Sequence, residues 1–234
     1  MEPTEYALMD EAEGAMWWYR ALHLRLCAAL ADVEGPVLDA GCGTGGLLAK
    51  LAGADMFGLE YADIAARRAA TKSGARITRG SINALPFAAE SFAAVVSADV
   101  LCHAAVEPDR ALAELRRVLR PGGRLVLNMP AYNWLASAHD RRVHNARRST
   151  AGALRAQLAG AGFGRIEVRY WNTLLLPLMV LQRKLLSRNA GSASDVATFS
   201  PWLDAILFAV TDIERRFPGP LPAGGSILAI ARRD

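Results

Sequence analysis

The stretch Val37-Leu38-Asp39-Ala40-Gly41-Cys42-Gly43-Thr44-Gly45-Gly46 places four glycines in six positions directly behind a short apolar run. An apolar run of that length reads as a buried strand. Glycines behind it permit positive φ and a close approach that a Cβ would block. The pattern therefore predicts a strand, a tight loop and a helix. Such a loop lies beyond the strand's carboxyl end, where an open parallel sheet binds its ligands.

The chain continues in the same alternation. Strands are expected at Pro36–Ala40, Met56–Glu60, Ala75–Arg79, Ala93–Ala98 and Arg124–Met129. Helices are expected at Leu47–Ala52, Ile64–Thr71 and Asp109–Leu119, the last with Leu112, Leu115, Val118 and Leu119 on one face and Arg120-Pro121-Gly122-Gly123 as its stop. The alternation predicts an α/β, Rossmann-like doubly wound, mostly parallel sheet with helices on both faces. Further on come a helix at Thr150–Ala161, a strand at Arg165–Trp171 and a strand at Ser226–Ala231. The segment between those two strands is too long for a hairpin. It reads as a helix at Thr173–Leu186 kinked by Pro177, a loop at Asn189–Ser194 and a helix at Pro201–Arg216. The expected organisation is an N-terminal helical lid (1–35), a core (36–171 and 226–234) and a small helical cap (172–225).

Composition excludes several classes. The start, MEPTEYALMDEAEG, lacks the basic and apolar parts of a signal peptide, which points to the cytoplasm. The apolar runs Leu174–Leu181 and Ala205–Val210 fall far short of the roughly 20 residues of a membrane span. Three scattered cysteines suggest neither a disulfide framework nor a metal site. A net charge of +4 without a basic stripe and interleaved aromatics gives no case for nucleic acid.

Gly41–Gly46 also satisfies GxGxxG, and Glu60 follows where an acid could bind ribose hydroxyls, so the loop alone fits a dinucleotide as well as other adenosine ligands. Asp39 would repel a pyrophosphate and favour an ammonium group. Together, "VLDAGCGTG", "GLEYA", "RGSINALPFAAESFAAVVSADVLCHA" and "LRPGGRLVL" resemble, in this order, the class I S-adenosylmethionine-dependent methyltransferases over about residues 36–170. The likeness implies a seven-stranded sheet and S-adenosyl-L-methionine as cofactor. It implies that Gly41, Cys42 and Gly43 present backbone to the methionyl part and that Asp39 organises the ammonium end. Glu60 would hold both ribose hydroxyls, Tyr61 would border the adenine, and Ser81 and Ile82 would flank its other side. The family often has Asp where Ser81 stands, so a weaker hydroxyl bond, or Asn83 as substitute, is expected. Asp99, Trp18 and Arg20 complete the expected cofactor set, with Arg20 approaching the cofactor carboxylate.

Other residues are weighed more plainly. Cys42 reads as a small packing residue, because no base is suggested beside it. His103 reads first as a packing residue. His103, His139 and His144 are the candidates for a general base, if the acceptor must lose a proton. Trp17-Trp18-Tyr19 cannot all face inward on one helix, so Trp18 or Tyr19 is expected on a pocket wall. "HDRRVHNARRST" (139–150) reads as a basic loop at the substrate entrance. Tyr19, Tyr132, Arg148, Leu175 and Met179 are the expected substrate contacts. Leu174–Leu186, ending in Arg183, Lys184 and Arg188, is expected to roof the acceptor, with a homodimer interface or peripheral membrane contact as rivals. The expected reaction is methyl transfer to a small apolar or amphipathic metabolite, such as a natural product or a lipid-linked intermediate. A nicotinamide-dependent oxidoreductase and a non-catalytic binding protein of the same fold are the alternatives.

Overall fold

A computed structural model describes residues 3–51, 55–183, 199–217 and 219–234. Seven strands form one sheet: β1 (Val37–Ala40), β2 (Met56–Glu60), β3 (Arg76–Arg79), β4 (Phe92–Ala98), β5 (Leu119–Pro130), β6 (Phe163–Trp171) and β7 (Ser226–Arg233). Their order is β3-β2-β1-β4-β5-β7-β6, and only β7 runs antiparallel to its neighbours. Leu38 sits between Phe57 of β2 and Val95 of β4, which aligns the carboxyl ends of the central strands. β6 therefore runs with the parallel strands, and the chain leaves it at the carboxyl edge, as the resemblance implied.

Helices α3 (Gly46–Lys50), α4 (Asp63–Ser73), α5 (Pro108–Val118) and α7 (Ala151–Gly160) follow strands or loops as the periodicity predicts. On α5 the expected face is fully buried: Leu112, Leu115 and Val118 have no exposed surface. Each such leucine contributes about 1.5–3 kcal/mol by leaving water. The Arg120–Gly123 breaker does end α5, but β5 begins at once. Register against β4 jumps from Phe92↔Leu119 to Ala94↔Arg124, so the breaker is a bulge at the strand's start.

Four features depart from expectation. An N-terminal helix α1 (Pro3–Ala12) precedes α2 (Trp17–Leu30), and a short helix α6 (Ala138–Arg142) lies inside the basic segment. Helix α8 spans Leu176–Leu181 and continues as π-helix through residues 182 and 183, while 184–186 of the expected span lie outside the described residues; Pro177 sits in its first turn, where proline starts a helix rather than kinking it. No residue of α8 is buried, so the segment is apolar without being a core element. Lys184, Arg188 and the loop at Asn189–Ser194 lie outside the described residues, as does the end of the helix expected at Leu47–Ala52.

Helix α9 (Pro201–Arg215) packs along α2 and is fastened by charge. Asp204 accepts the Trp17 N–H at 2.6 Å and the Arg20 guanidinium at 3.0 Å. Glu214, only 5% exposed, accepts the backbone N–H groups of Asn172, Thr173 and Leu174 at 2.6, 2.6 and 3.1 Å and faces Arg25 at 3.7 Å. One carboxylate thus ties α9, α2 and the exit from β6 together. Removing one member of a buried charged network leaves its partners uncompensated, at a cost of about 3–5 kcal/mol. Glu214→Ala should lower unfolding free energy by that amount in a denaturant titration; an unchanged midpoint would show that the network is not what holds α9.

Candidate active site

A cavity of about 750 Å³ opens along the carboxyl edge of the sheet. Its walls come from α1, α2, the glycine loop, the ends of β2 and β4, the 139–148 segment, and the Asn172–Arg183 stretch with Phe199. Of the expected cofactor residues, Asp39, Gly41, Cys42, Gly43, Glu60, Tyr61, Ser81, Ile82, Asp99 and Trp18 all line it. So do Tyr19, Met179, Arg148, His103, His139 and His144. With His23, which the sequence did not single out, every histidine of the chain faces this one cavity.

The glycine loop is shaped by the protein as well as by any ligand. Gly45 has φ +91°, and a Cβ there would lie 2.8 Å from the Ala69 backbone, so α4 itself requires a glycine. Gly43 has φ +55°, and its Cβ would meet the end of the Met9 side chain on α1. The Gly43 N–H donates to Glu60 Oε2 at 3.0 Å, while Glu60 Oε1 accepts from Ala62 N–H at 2.9 Å. Glu60 therefore braces the loop from the end of β2.

A third acid joins these two. Glu13, 5% exposed, lines the cavity beside Tyr6 and Met9 and is bonded by Lys72 at 2.9 Å. Asp10 binds Arg68 at 2.8 Å, so α1 is clasped onto α4. Burial, reinforced by the charges of Glu13 and Glu60, pushes the Asp39 carboxyl up to about 8. Burial also raises Glu13 and Glu60. Three carboxyls around one loop make that end of the cavity a site for a cation and a poor one for a phosphate. Glu13 was missed because it sits in a polar, acidic segment with no periodicity to mark it.

Several expected contacts have other positions. Arg20 is bonded to Asp204 and lies over the Phe208 ring at 3.9 Å, so it braces the cap and is not on the cavity wall. Tyr132 is stacked between Trp134 and Tyr170, and Leu175 packs with Trp17 and Leu207; neither lines the cavity. Asn83 is tied to the 105–107 backbone and cannot substitute for the acid missing at Ser81. Trp18 and Tyr19 both line the wall, as expected of at least one of them, and Trp17 joins them because the cavity wraps the first turn of α2. Trp18 stacks on Trp171 with centroids 6.0 Å apart.

The basic segment is mostly internal bracing. Arg148 forms three bonds to Asp140 (2.9–3.1 Å) and one to the Ala131 carbonyl, and its side chain is 6% exposed. Arg147 donates to the carbonyls of Leu101, His103 and Val106. These arginines hold the loop after β4 against the loop after β5. His103 is half-buried and hydrogen-bonded to the backbone at Val143 and Asp99. Burial drives its pKa down to about 4, too weak a base for neutral pH, which fits a packing role. Cys42 is buried, and burial with the Asp39 and Glu60 charges raises its thiol, so it stays protonated. Asp99 is held through both oxygens by Asn128 Nδ2 at 3.0 Å, and burial moves it up to about 6. Asn128 in turn accepts Trp171 Nε1–H at 2.8 Å.

Residues 38–127 match the family model described as "Methyltransferase domain". Over that segment the chain is similar to S-adenosylmethionine-dependent methyltransferases, and it spans less than two thirds of the length of the curated relatives it matches. It is 33% identical over 141 residues to a protein of Encephalitozoon cuniculi named as a candidate methyltransferase, covering 59% of this chain and 63% of that one. Among solved structures, an S-adenosylmethionine-dependent methyltransferase of Thermotoga maritima superposes with TM-score 0.62 at 17% identity, over 99% and 96% of the two chains. A geranyl diphosphate C-methyltransferase of Streptomyces coelicolor superposes with TM-score 0.62 at 16% identity, over 92% and 79%. These structural likenesses establish the methyltransferase fold.

The carboxyl cluster gives the site a testable signature. Free Asp39 keeps its proton up to about pH 8, whereas a bound ammonium favours the ionised form. Affinity for S-adenosylhomocysteine should therefore rise from pH 6 to pH 8, by up to about tenfold per unit, and fall again as pH is lowered. Asp39→Asn should flatten that dependence. Calorimetry that finds the same slope in both proteins would place the cation elsewhere.

Proposed function

We propose that the protein binds S-adenosyl-L-methionine across the glycine loop and methylates a small, largely apolar or amphipathic acceptor. The observation that carries this reading is one continuous cavity with two unlike ends. One end gathers Glu13, Asp39 and Glu60 at the loop; the other is walled by Trp18, Met179 and Phe199. When bound, the cofactor supplies an activated methyl group on a sulfonium. The chain's own contribution is then alignment and exclusion of water.

In this reading Gly41 to Gly43 offer backbone to the methionyl portion, and Asp39 receives its ammonium group. Glu60 turns from Gly43 toward the ribose hydroxyls. Tyr61, 76% exposed, and Ile82, buried, border the adenine on opposite sides. Tyr19, Met179 and the neighbouring aromatics position the acceptor. Residues 172–225 act as its roof, with Leu175 anchoring that roof from inside. His139 and His144 are the histidines left as bases for an acceptor that must lose a proton. The acidic loop argues against a nicotinamide dinucleotide, whose pyrophosphate would meet three carboxyls.

No helix among the described residues is long and apolar enough to cross a membrane. Leu174, Leu178, Leu181, Trp202 and Ile206 are exposed on the cap segment, which supports its covering by a second copy or by a lipid surface. The three cysteines are free, in keeping with a cytoplasmic site of action.

Titration should show S-adenosylhomocysteine binding and no NAD binding. Glu60→Ala should weaken the former about tenfold or more, since each charge-assisted bond is worth about 1.5–3 kcal/mol. Tight NAD binding with no response to S-adenosylhomocysteine would overturn the reading. Gly43→Val, strained at φ +55°, should abolish cofactor binding while far-ultraviolet circular dichroism stays near the parent's. Binding at parental affinity would show that the ligand does not approach the backbone there.

A further inference from the structure

The acceptor end of the cavity contains a buried polar atom with nothing to bond. Asn172 follows β6 at φ +60° and is 1% exposed, yet it lies on the cavity wall. Its backbone N–H donates to Glu214, and its Nδ2 donates to the Met179 thioether at 3.3 Å. A thioether has no proton to give, so the amide nitrogen belongs on that side and the oxygen on the other. Oδ1 is buried and has no hydrogen-bond partner. A buried carbonyl oxygen left unpaired is costly, and a native structure keeps one where a ligand or water will satisfy it.

The neighbouring polar groups narrow what that ligand presents. Asp99, at φ +53° on the same wall, offers a carboxylate whose partner among the described side chains is the single amide of Asn128. Strained φ at two non-glycine wall residues is the kind of cost that functional positions carry. Arg148 is a cation on the same wall, but its guanidinium is committed to Asp140 and to the Ala131 carbonyl. Asn172 and Asp99 both offer hydrogen-bond acceptors on this wall. A donor entering beside them would find two acceptors.

We infer that the methyl acceptor enters as a hydrogen-bond donor, with a hydroxyl or amino group on an apolar body, and that Asn172 Oδ1 is the residue atom that selects it. This rests on the methyltransferase reading. Asn172 is a specificity residue: it holds the donating group, while the apolar body lies against Met179 and Trp18.

The test uses three probes of equal chain length, 1-decanol, 1-decylamine and decyl methyl ether, titrated calorimetrically into the full-length protein saturated with S-adenosylhomocysteine. The inference predicts that the alcohol, the amine or both bind at least about fivefold more tightly than the ether, which can donate nothing. A preference for the alcohol identifies a hydroxyl acceptor, and a preference for the amine identifies an amino acceptor. Asn172→Gly keeps the backbone donor and suits the positive φ. It should bring the three probes to within about twofold of each other while leaving the dissociation constant of S-adenosylhomocysteine unchanged. Equal binding of all three by the parent protein, including no binding of any, overturns the inference, as does undiminished preference in Asn172→Gly. If that variant does not fold, the probe contrast on the parent decides alone. Should the parent fail to bind S-adenosylhomocysteine, the methyltransferase reading falls, and the probe contrast measured without it still judges Asn172.

Discussion

Three carboxyl groups share one small volume around a glycine loop, and the contacts nearest to them offset part of that repulsion. Asp39 comes from β1, Glu60 from the end of β2 and Glu13 from the turn between α1 and α2. Two of them are partly compensated. Glu60 accepts backbone N–H groups from Gly43 and Ala62, and Glu13 is bonded by Lys72. Asp39 has burial on one side and two acids on the other, and its carboxyl is pushed up to about 8. Native proteins hold such arrangements where a charged ligand completes them. A cation at the loop relieves all three groups at once.

The opposite side of the cavity is organised by a different device, buried ion pairs that fix loops. Asp140–Arg148 locks the segment after β5, and Arg147 draws in the carbonyls of the loop after β4. Glu214, facing Arg25, sets the exit of β6 and the start of the cap. Breaking such pairs is expensive because each partner is left charged and dry. The result is a braced rim around that end of the cavity, made from residues that resemble substrate-binding groups when seen only as sequence.

That distinction explains what could and could not be read from the chain. The sheet and its helices were legible because their signals are local: the apolar runs of β1 and β4, the single face of α5, and the glycines behind β1. The glycine-loop end of the cavity was legible through the motif around Asp39 and through Glu60. The cap was less so. Arg20 and Leu175 were expected at the ligand, yet their partners, Asp204 with Phe208 and Trp17 with Leu207, lie across large stretches of sequence. Arg148 was expected at the substrate for its charge, but a charge says nothing of the acid that neutralises it. Glu13 and Asn172 had no signal at all; each matters through what surrounds it.

The central claim is that the carboxyl cluster at the glycine loop receives the cationic end of an adenosyl amino acid while Glu60 takes its ribose. The most direct measurement is a crystal structure of the protein grown with S-adenosylhomocysteine. The account predicts the ligand's ammonium group on the Asp39 side of the loop, both ribose hydroxyls within hydrogen-bonding distance of Glu60, and the adenine between Tyr61 and Ile82. Density for the ligand in the reverse orientation, or at a site that leaves Asp39 and Glu60 untouched, would contradict it.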